Sequence, residues 1–184
     1  MQGEVFTKFA VLHRNVQGDG RRVVQRVLSN VRQMFVDRGY HNVSVVDEVE
    51  DASLPAVTSD EQDAFLHWED KVGVKHARHI LELCEAKGKR GLILSIEGPT
   101  PFTRKEVENS NLEFFLAKEL FVNVTKHHLV PRHTVVEDTK DAIPPYPSSD
   151  PIVRYYGWKP GTVVRIDRMF CGSEPIPYFR RVVA

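Results

Sequence analysis

The 184-residue sequence predicts an α+β protein in two parts. Three observations carry that reading. Apolar residues recur at helical spacing along 18–39 and 72–89, and a continuous apolar run, RGLILSIEG (90–98), has the pattern of a buried strand. From about residue 118 the texture changes to prolines, tight turns and short strand-like runs. The expected architecture is an N-terminal α/β domain over 1–117, with helices packed on a small mixed sheet, followed by a small β-rich domain over 118–184.

The first helix is expected in GDGRRVVQRVLSNVRQMFVDRG. Val23, Val24, Val27, Leu28, Val31, Met34 and Phe35 fall on one stripe, with Asp19 as N-cap and Gly39 as the stop. Arg21, Arg22, Arg26 and Arg32 lie mostly off that stripe. Such residues form either a solvated face or a surface that meets nucleic acid. Residues 41–62 are polar and acidic and predict a short strand and a loop. In VGVKHARHILELCEAKGK, the residues Val74, Ala77, Ile80, Leu81 and Cys84 make a second stripe, closed by Gly88. His76 and His79 share this helix at i, i+3 spacing. With no third or fourth ligand at fixed spacing they read as a solvent-facing pair.

TPFTRKEVE predicts a short helix with Thr100 as N-cap and Pro101 at its first position. LEFFLAKELFVNVT returns to strand-type residues. IPPYPSSDP (143–151) excludes regular helix and central strand. After it, Lys159-Pro160-Gly161 predicts a turn, Val163, Val164 and Ile166 a strand, and PIPYFRRVV a last strand.

Twenty-five basic residues balance twenty-five acidic ones, which argues against a free-standing nucleic-acid binder. Cys84 and Cys171, far apart, provide neither a disulfide framework nor a paired metal site. The opening MQGEVFTKFAVLHR has no apolar core of a secretory signal, and no run is long enough to span a bilayer, so a soluble intracellular protein with no membrane partner is expected. Phosphate-loop, dinucleotide, zinc-protease and serine-hydrolase motifs are absent.

One cluster invites a chemical reading: FVNVTKHHLVPRHTVVED (121–138) holds His127, His128 and His133, with Glu137 and Asp138 nearby. In extended backbone His127 and His128 point to opposite faces, and Pro131 breaks any helix that could gather the three rings. Imidazoles that hydrogen-bond the backbone at a strand–turn junction are expected instead. The competing reading is a small metal-dependent hydrolase built on His127, His128 and His133.

NVTKHHLVPRH followed by DPIVRYYGWKPGTVVRI closely resembles the C-terminal domain of common subunit five of eukaryotic nuclear RNA polymerases, a family with a shorter archaeal counterpart that consists of this part alone. Asn123, Thr125, His127 or His128, Leu129, Val130, Pro131 and His133 match the first block. Asp150, Pro151, Arg154, Tyr155, Gly157, Gly161, Val163 and Ile166 match the second. More loosely, VRQMFVDRGY, VGVKHARHILELCEAKGKRGLIL and TPFTRK are similar to elements of the family's N-terminal half.

The resemblance implies a non-catalytic subunit of a DNA-directed RNA polymerase, with no cofactor, no metal and no catalytic residue. Its N-terminal jaw (1–117) would lie beside downstream double-stranded DNA, with Arg104, Lys105, Arg22 and Arg26 as the DNA-proximal candidates. Its C-terminal assembly domain (118–184) would pack on the largest subunit through His128, Leu129, Val130, Pro131, His133, Asp150, Pro151, Arg154, Tyr155, Gly157 and Gly161. The implied location is the nucleus, or the nucleolus for a polymerase I-specific paralogue. A free transcription adaptor is a milder alternative. The chain departs from the family pattern in its shorter, proline-rich loop at 139–150 and in its ending, where only Phe179 and Arg180 keep their places.

Overall fold

The computed structural model describes residues 20–46, 55–67, 71–137, 142–169 and 174–184. The proposed N-cap Asp19, the side chain of Arg21, and Asp138 and Cys171 lie outside the described residues. The chain is α+β and divides into two units, Met1–Val122 and Asn123–Ala184.

The first unit has α1 (Gly20–Asp37), β1 (Ser44–Val45), β2 (Pro55–Thr58), β3 (Gln62–His67), α2 (Val74–Glu85), β4 (Arg90–Ser95), α3 (Pro101–Glu108) and β5 (Leu112–Leu116). The strands form one mixed sheet in the order β1-β2-β3-β4-β5. The first three are antiparallel, and β3, β4 and β5 are parallel, joined through α2 and α3.

Register assigns the faces. Phe65 lies beside Ile93 and Ile93 beside Phe114, and these side chains pack with Ala77, Ile80 and Cys84 of α2 and Val107 of α3. Ala64, Leu66, Leu92, Leu94 and Phe115 point the other way and are also buried. On that side Arg38, just after α1, donates to Gln62 Oε1 at 2.8 Å and to the Glu113 carboxylate at 2.8 and 3.1 Å. Helix α1, whose whole expected stripe is buried, therefore covers the face opposite α2 and α3.

Helix α3 begins as predicted: the Thr100 hydroxyl accepts from the Thr103 N–H, and Pro101 follows at the first position. Leu112 of β5 and Cys84 of α2 crowd Gly91, so any larger residue there must displace a side chain. A Cβ there would stand 2.5 Å from Leu112 Cδ2 and 3.0 Å from Cys84 Sγ.

Three expectations need correction. Residues 41–62, where the sequence predicts one short strand and a loop, hold β1 and β2 and the start of β3, which opens on the polar pair Gln62-Asp63 yet is buried throughout. Two of its buried acceptors are answered: Gln62 Oε1 accepts from Arg38, and the Asp63 carboxylate pairs with Lys87 and Lys89 at 3.5 and 3.0 Å. The strand in LEFFLAKELFVNVT stops at Leu116, where a 3₁₀ turn (Ala117–Glu119) starts and the Glu119 carboxylate accepts the Leu116 N–H at 2.8 Å. His76 is half-buried, its ring 4.4 Å from that of buried His67, so the expected solvent-facing pair holds for His79 alone.

In the second unit a 3₁₀ turn (Val124–Lys126) precedes β6 (Arg132–Val136), β7 (Pro145–Pro147), α4 (Pro151–Tyr156), β8 (Val163–Arg168) and β9 (Ile176–Val183). The sheet order is β6-β8-β9-β7, with β7 parallel to β9 and the other pairs antiparallel. Its core is Tyr146, Val153, Val164, Ile166 and Val182, with Trp158 packed against it. Helix α4 is an element that the sequence pattern does not predict. Pro151 is tolerated in it because the first helical position has no intrahelical N–H bond to lose.

Candidate subunit interface

The two sequence blocks meet in the second unit, and most of their residues build the fold. The Asn123 carboxamide accepts from the Thr125 N–H at 3.0 Å and from its hydroxyl at 2.6 Å, fixing the turn. Its Nδ2 donates to the Tyr155 hydroxyl at 3.0 Å, which ties the first block to α4. Asp150 caps α4 by accepting the Ile152 N–H at 2.8 Å.

Gly157 ends α4 at φ +66°, a left-handed conformation that glycine adopts without a Cβ penalty. The Gly157 N–H reaches Arg154 O and the Trp158 N–H reaches Val153 O, the paired bonds of a Schellman motif. The expected turn at Lys159-Pro160-Gly161 is present. It is closed by the Thr162 N–H on Lys159 O at 3.1 Å, with Gly161 at φ +95°, the type II pattern.

The histidines divide. His127 and His128 stack on each other with centroids 4.7 Å apart and planes 25° apart. The expectation that they point to opposite faces is therefore corrected. It assumed extended backbone, whereas the chain turns here, with the Val130 N–H on His127 O, and β6 starts only at Arg132. His127 Nδ1 accepts the Leu129 N–H at 3.3 Å. His133 Nδ1 lies 2.7 Å from Pro131 O; a carbonyl can only accept, so Nδ1 carries the proton and Nε2 faces the Tyr146 hydroxyl at 3.4 Å. Burial lowers the His133 pKa, partly offset by the Pro131 bond. Burial raises that of Tyr146, and the nearby Asp150 carboxylate raises it further. His127 and His133 are backbone-bonded imidazoles, as the sequence predicts, whereas His128 meets His127 by ring stacking. Among the described residues no group of three or more His, Cys, Asp or Glu side chains is arranged to hold a metal ion.

Exposure sorts the eleven interface candidates. Tyr155 is 1% exposed and lies inside its own unit. Asp150, Pro151, Gly157 and Gly161 shape caps and turns. Val130, Pro131, His133 and Arg154 are half-buried, while His128 is exposed and Leu129 is 75% exposed. Sequence reasoning missed a second set of exposed apolar side chains in this unit: Val135, Met169, Ile176, Tyr178 and Phe179. The alternation of β6, β8 and β9 was the available signal for the strand residues.

The four DNA-proximal candidates are not brought together. Arg22 and Arg26 lie on α1, and Arg104 and Lys105 on α3, on opposite sides of the first sheet. The Arg26 guanidinium sits 4.8 Å over the Phe121 ring. Arg104 and Lys105 are exposed and make no ion pair among the described residues. Charge is also split by unit. Residues 1–122 carry sixteen Lys and Arg against nineteen Asp and Glu, and residues 123–184 carry nine against six.

Residues 122–182 match the family described as RNA polymerase Rpb5, C-terminal domain. The DNA-directed RNA polymerases I, II, and III subunit RPABC1 of Caenorhabditis briggsae is 30% identical over 127 residues, 60% of each chain. Its counterpart in Dictyostelium discoideum is 29% identical over 117 residues, 53% of this chain and 59% of the relative. The DNA-directed RNA polymerases IV and V subunit 5B of Arabidopsis thaliana is 36% identical over 91 residues, 41% of this chain and 42% of the relative. The chain thus matches about 60% of the length of the first of these relatives.

Proposed function

We propose that this chain, whose C-terminal unit belongs to the RNA polymerase Rpb5 C-terminal domain family, is a non-catalytic subunit of a DNA-dependent nuclear RNA polymerase. The observation that carries the reading is the match over 122–182, which spans nearly the whole second unit. In this reading Asn123–Ala184 docks on the largest subunit, with His128 and Leu129 the most accessible candidates for contact. An apolar side chain as exposed as Leu129 is accounted for if a partner covers it. The first unit lines the downstream DNA path. A duplex laid along one side of its sheet meets one basic pair, and Arg104 with Lys105 is the pair left uncommitted to its own unit. Such contacts hold phosphates and position the duplex without reading sequence. The location follows: nuclear, or nucleolar for a chain dedicated to polymerase I.

A tag on the chain should recover the two large catalytic subunits in equal proportion from nuclear extract. Recovery as a free monomer overturns the reading, and gel filtration of the same extract separates a polymerase subunit from a free adaptor. The hydrolase alternative requires stoichiometric zinc or manganese that disappears when His127, His128 and His133 are changed together.

A second reading, a paralogue dedicated to one polymerase, is favoured by the proline-rich 139–150 segment, where the chain departs from the family pattern. Mass spectrometry of separately purified polymerases decides it.

A further inference from the structure

The sheet of the second unit has two edges, and they are finished differently. Along β7, Pro144 O accepts the Arg181 N–H at 3.0 Å and the Ser148 N–H donates to Val183 O at 2.9 Å, so the even-numbered residues face β9. Pro145 and Pro147 therefore occupy the outward positions, where each removes a donor. The outward Pro145 carbonyl is itself taken, accepting from Arg180 Nη1 at 3.2 Å. This edge offers almost nothing to another strand.

The other edge is β6, Arg132–Val136, which contains no proline. Its backbone pairs with β8 alone. Among the described residues no backbone hydrogen bond leaves its outer side. Alternate N–H and C=O groups of β6 thus stand ready for a further ladder.

The side chains on either face say what the added strand carries. Val135 lies directly beside Val164 of the core and is 51% exposed, so a β-branched residue next to it would extend the apolar cluster outward. On the opposite face, Arg132 lies across from Asp167, but that carboxylate accepts from Arg165 Nε at 2.8 Å. Arg165 takes that carboxylate, and among the described residues Arg132 makes no ion pair, which favours an acidic residue beside Arg132.

We propose that the outer edge of β6 accepts an added β-strand from a partner polypeptide, an extended segment with a β-branched residue beside Val135 and a carboxylate beside Arg132. Main-chain bonds would supply affinity, and the two flanking side chains the register. The proposal rests on the polymerase reading for the partner's identity only.

The test uses the full-length tagged chain, free and in whatever assembly it recovers. Amide hydrogen exchange of the peptide spanning 132–136 should slow by at least about tenfold in the assembly, while the already bonded Tyr146 amide stays unchanged. The double variant R132E/V135K should cut recovery of the partner by roughly tenfold, since it sets an adverse charge on both faces of the edge. Its circular dichroism and melting should match the parent, because both side chains are exposed.

An assembly that contains the large subunits but leaves 132–136 exchanging as in the free chain overturns the edge proposal and spares the polymerase reading. An assembly that protects 132–136 without those subunits does the reverse. Recovery as a monomer overturns both. A protected edge in a free chain that sediments as a dimer replaces the partner strand with a second copy and overturns the proposal as stated.

Discussion

Gly91→Ala is the sharpest test of how β4 packs against Leu112 of β5 and against α2. The added methyl would fall 2.5 Å from Leu112 Cδ2, 3.0 Å from Cys84 Sγ and 3.5 Å from Ile80 Cγ2. None of these neighbours has free room: Leu112 is 5% exposed, Cys84 1% and Ile80 0%. Overpacking of this kind costs about 1–3 kcal/mol, against about 0.4–1 kcal/mol regained from the stiffer unfolded chain. The expected net loss is about 1–2 kcal/mol, read from the urea midpoint at constant m-value. Leu112→Ala alone should cost about 2–5 kcal/mol through its cavity. With both changes the new methyl occupies part of that cavity, so the double variant should lose about 1 kcal/mol less than the two single losses combined. A neutral or stabilising Gly91→Ala, or single losses that simply add, refutes the account of this contact.

Three further outcomes are expected. Gly157→Ala forces a Cβ into φ +66° and should destabilise the second unit by about 1–2 kcal/mol, with Gly157→Asn costing less; the urea midpoints rank the three chains. His133 has a folded pKa below its ordinary 6.5, so the unfolded chain takes up the proton first. Its contribution to stability is full above pH 6.5 and is lost as pH falls toward the folded value, and His133→Gln should flatten that part of the pH–stability curve. Charge reversal at Arg104 and Lys105 should weaken downstream DNA crosslinking in the assembled polymerase, whereas reversal at Arg22 and Arg26 should not; the opposite result moves the duplex to the α1 side.

The elements legible in the sequence are those whose own residues specify them. Helices α1 and α2 show unbroken stripes, α3 carries its cap and proline, and β4 has the continuous apolar centre Leu92-Ile93-Leu94. Strand β3 was not legible because what makes Gln62 and Asp63 tolerable inside the sheet is supplied by Arg38, Lys87 and Lys89, residues remote in sequence. Helix α4 has six residues, too few to display a period, and its only signals were Asp150-Pro151 and Gly157. The stacking of His127 on His128 was hidden for a related reason. A turn set by a local backbone bond overrode the extended geometry that apolar neighbours suggested. The blocks themselves were legible, but which of their residues face outward was not, because burial is decided by the packing of α4 on the sheet.

The same packing limits what the family match carries. Asn123, Asp150, Pro151, Tyr155, Gly157 and Gly161 satisfy caps, turns and a buried hydroxyl within their own unit, so they would be required whether or not a partner were present. Residues that could answer to a partner are fewer: His128 and Leu129 on the turn, and Val135 and Arg132 on the open strand. The two groups predict different failures. Loss of a residue from the first group should lower stability and partner recovery together. Loss of one from the second should lower recovery while the melting curve stays in place. If Leu129→Ser and R132E/V135K both leave recovery intact while Gly157→Ala abolishes it, the two blocks and the β6 edge serve the assembly through the fold alone. The docking surface then lies among residues outside both blocks, with Ile176, Tyr178 and Phe179 on β9 the next exposed set to change.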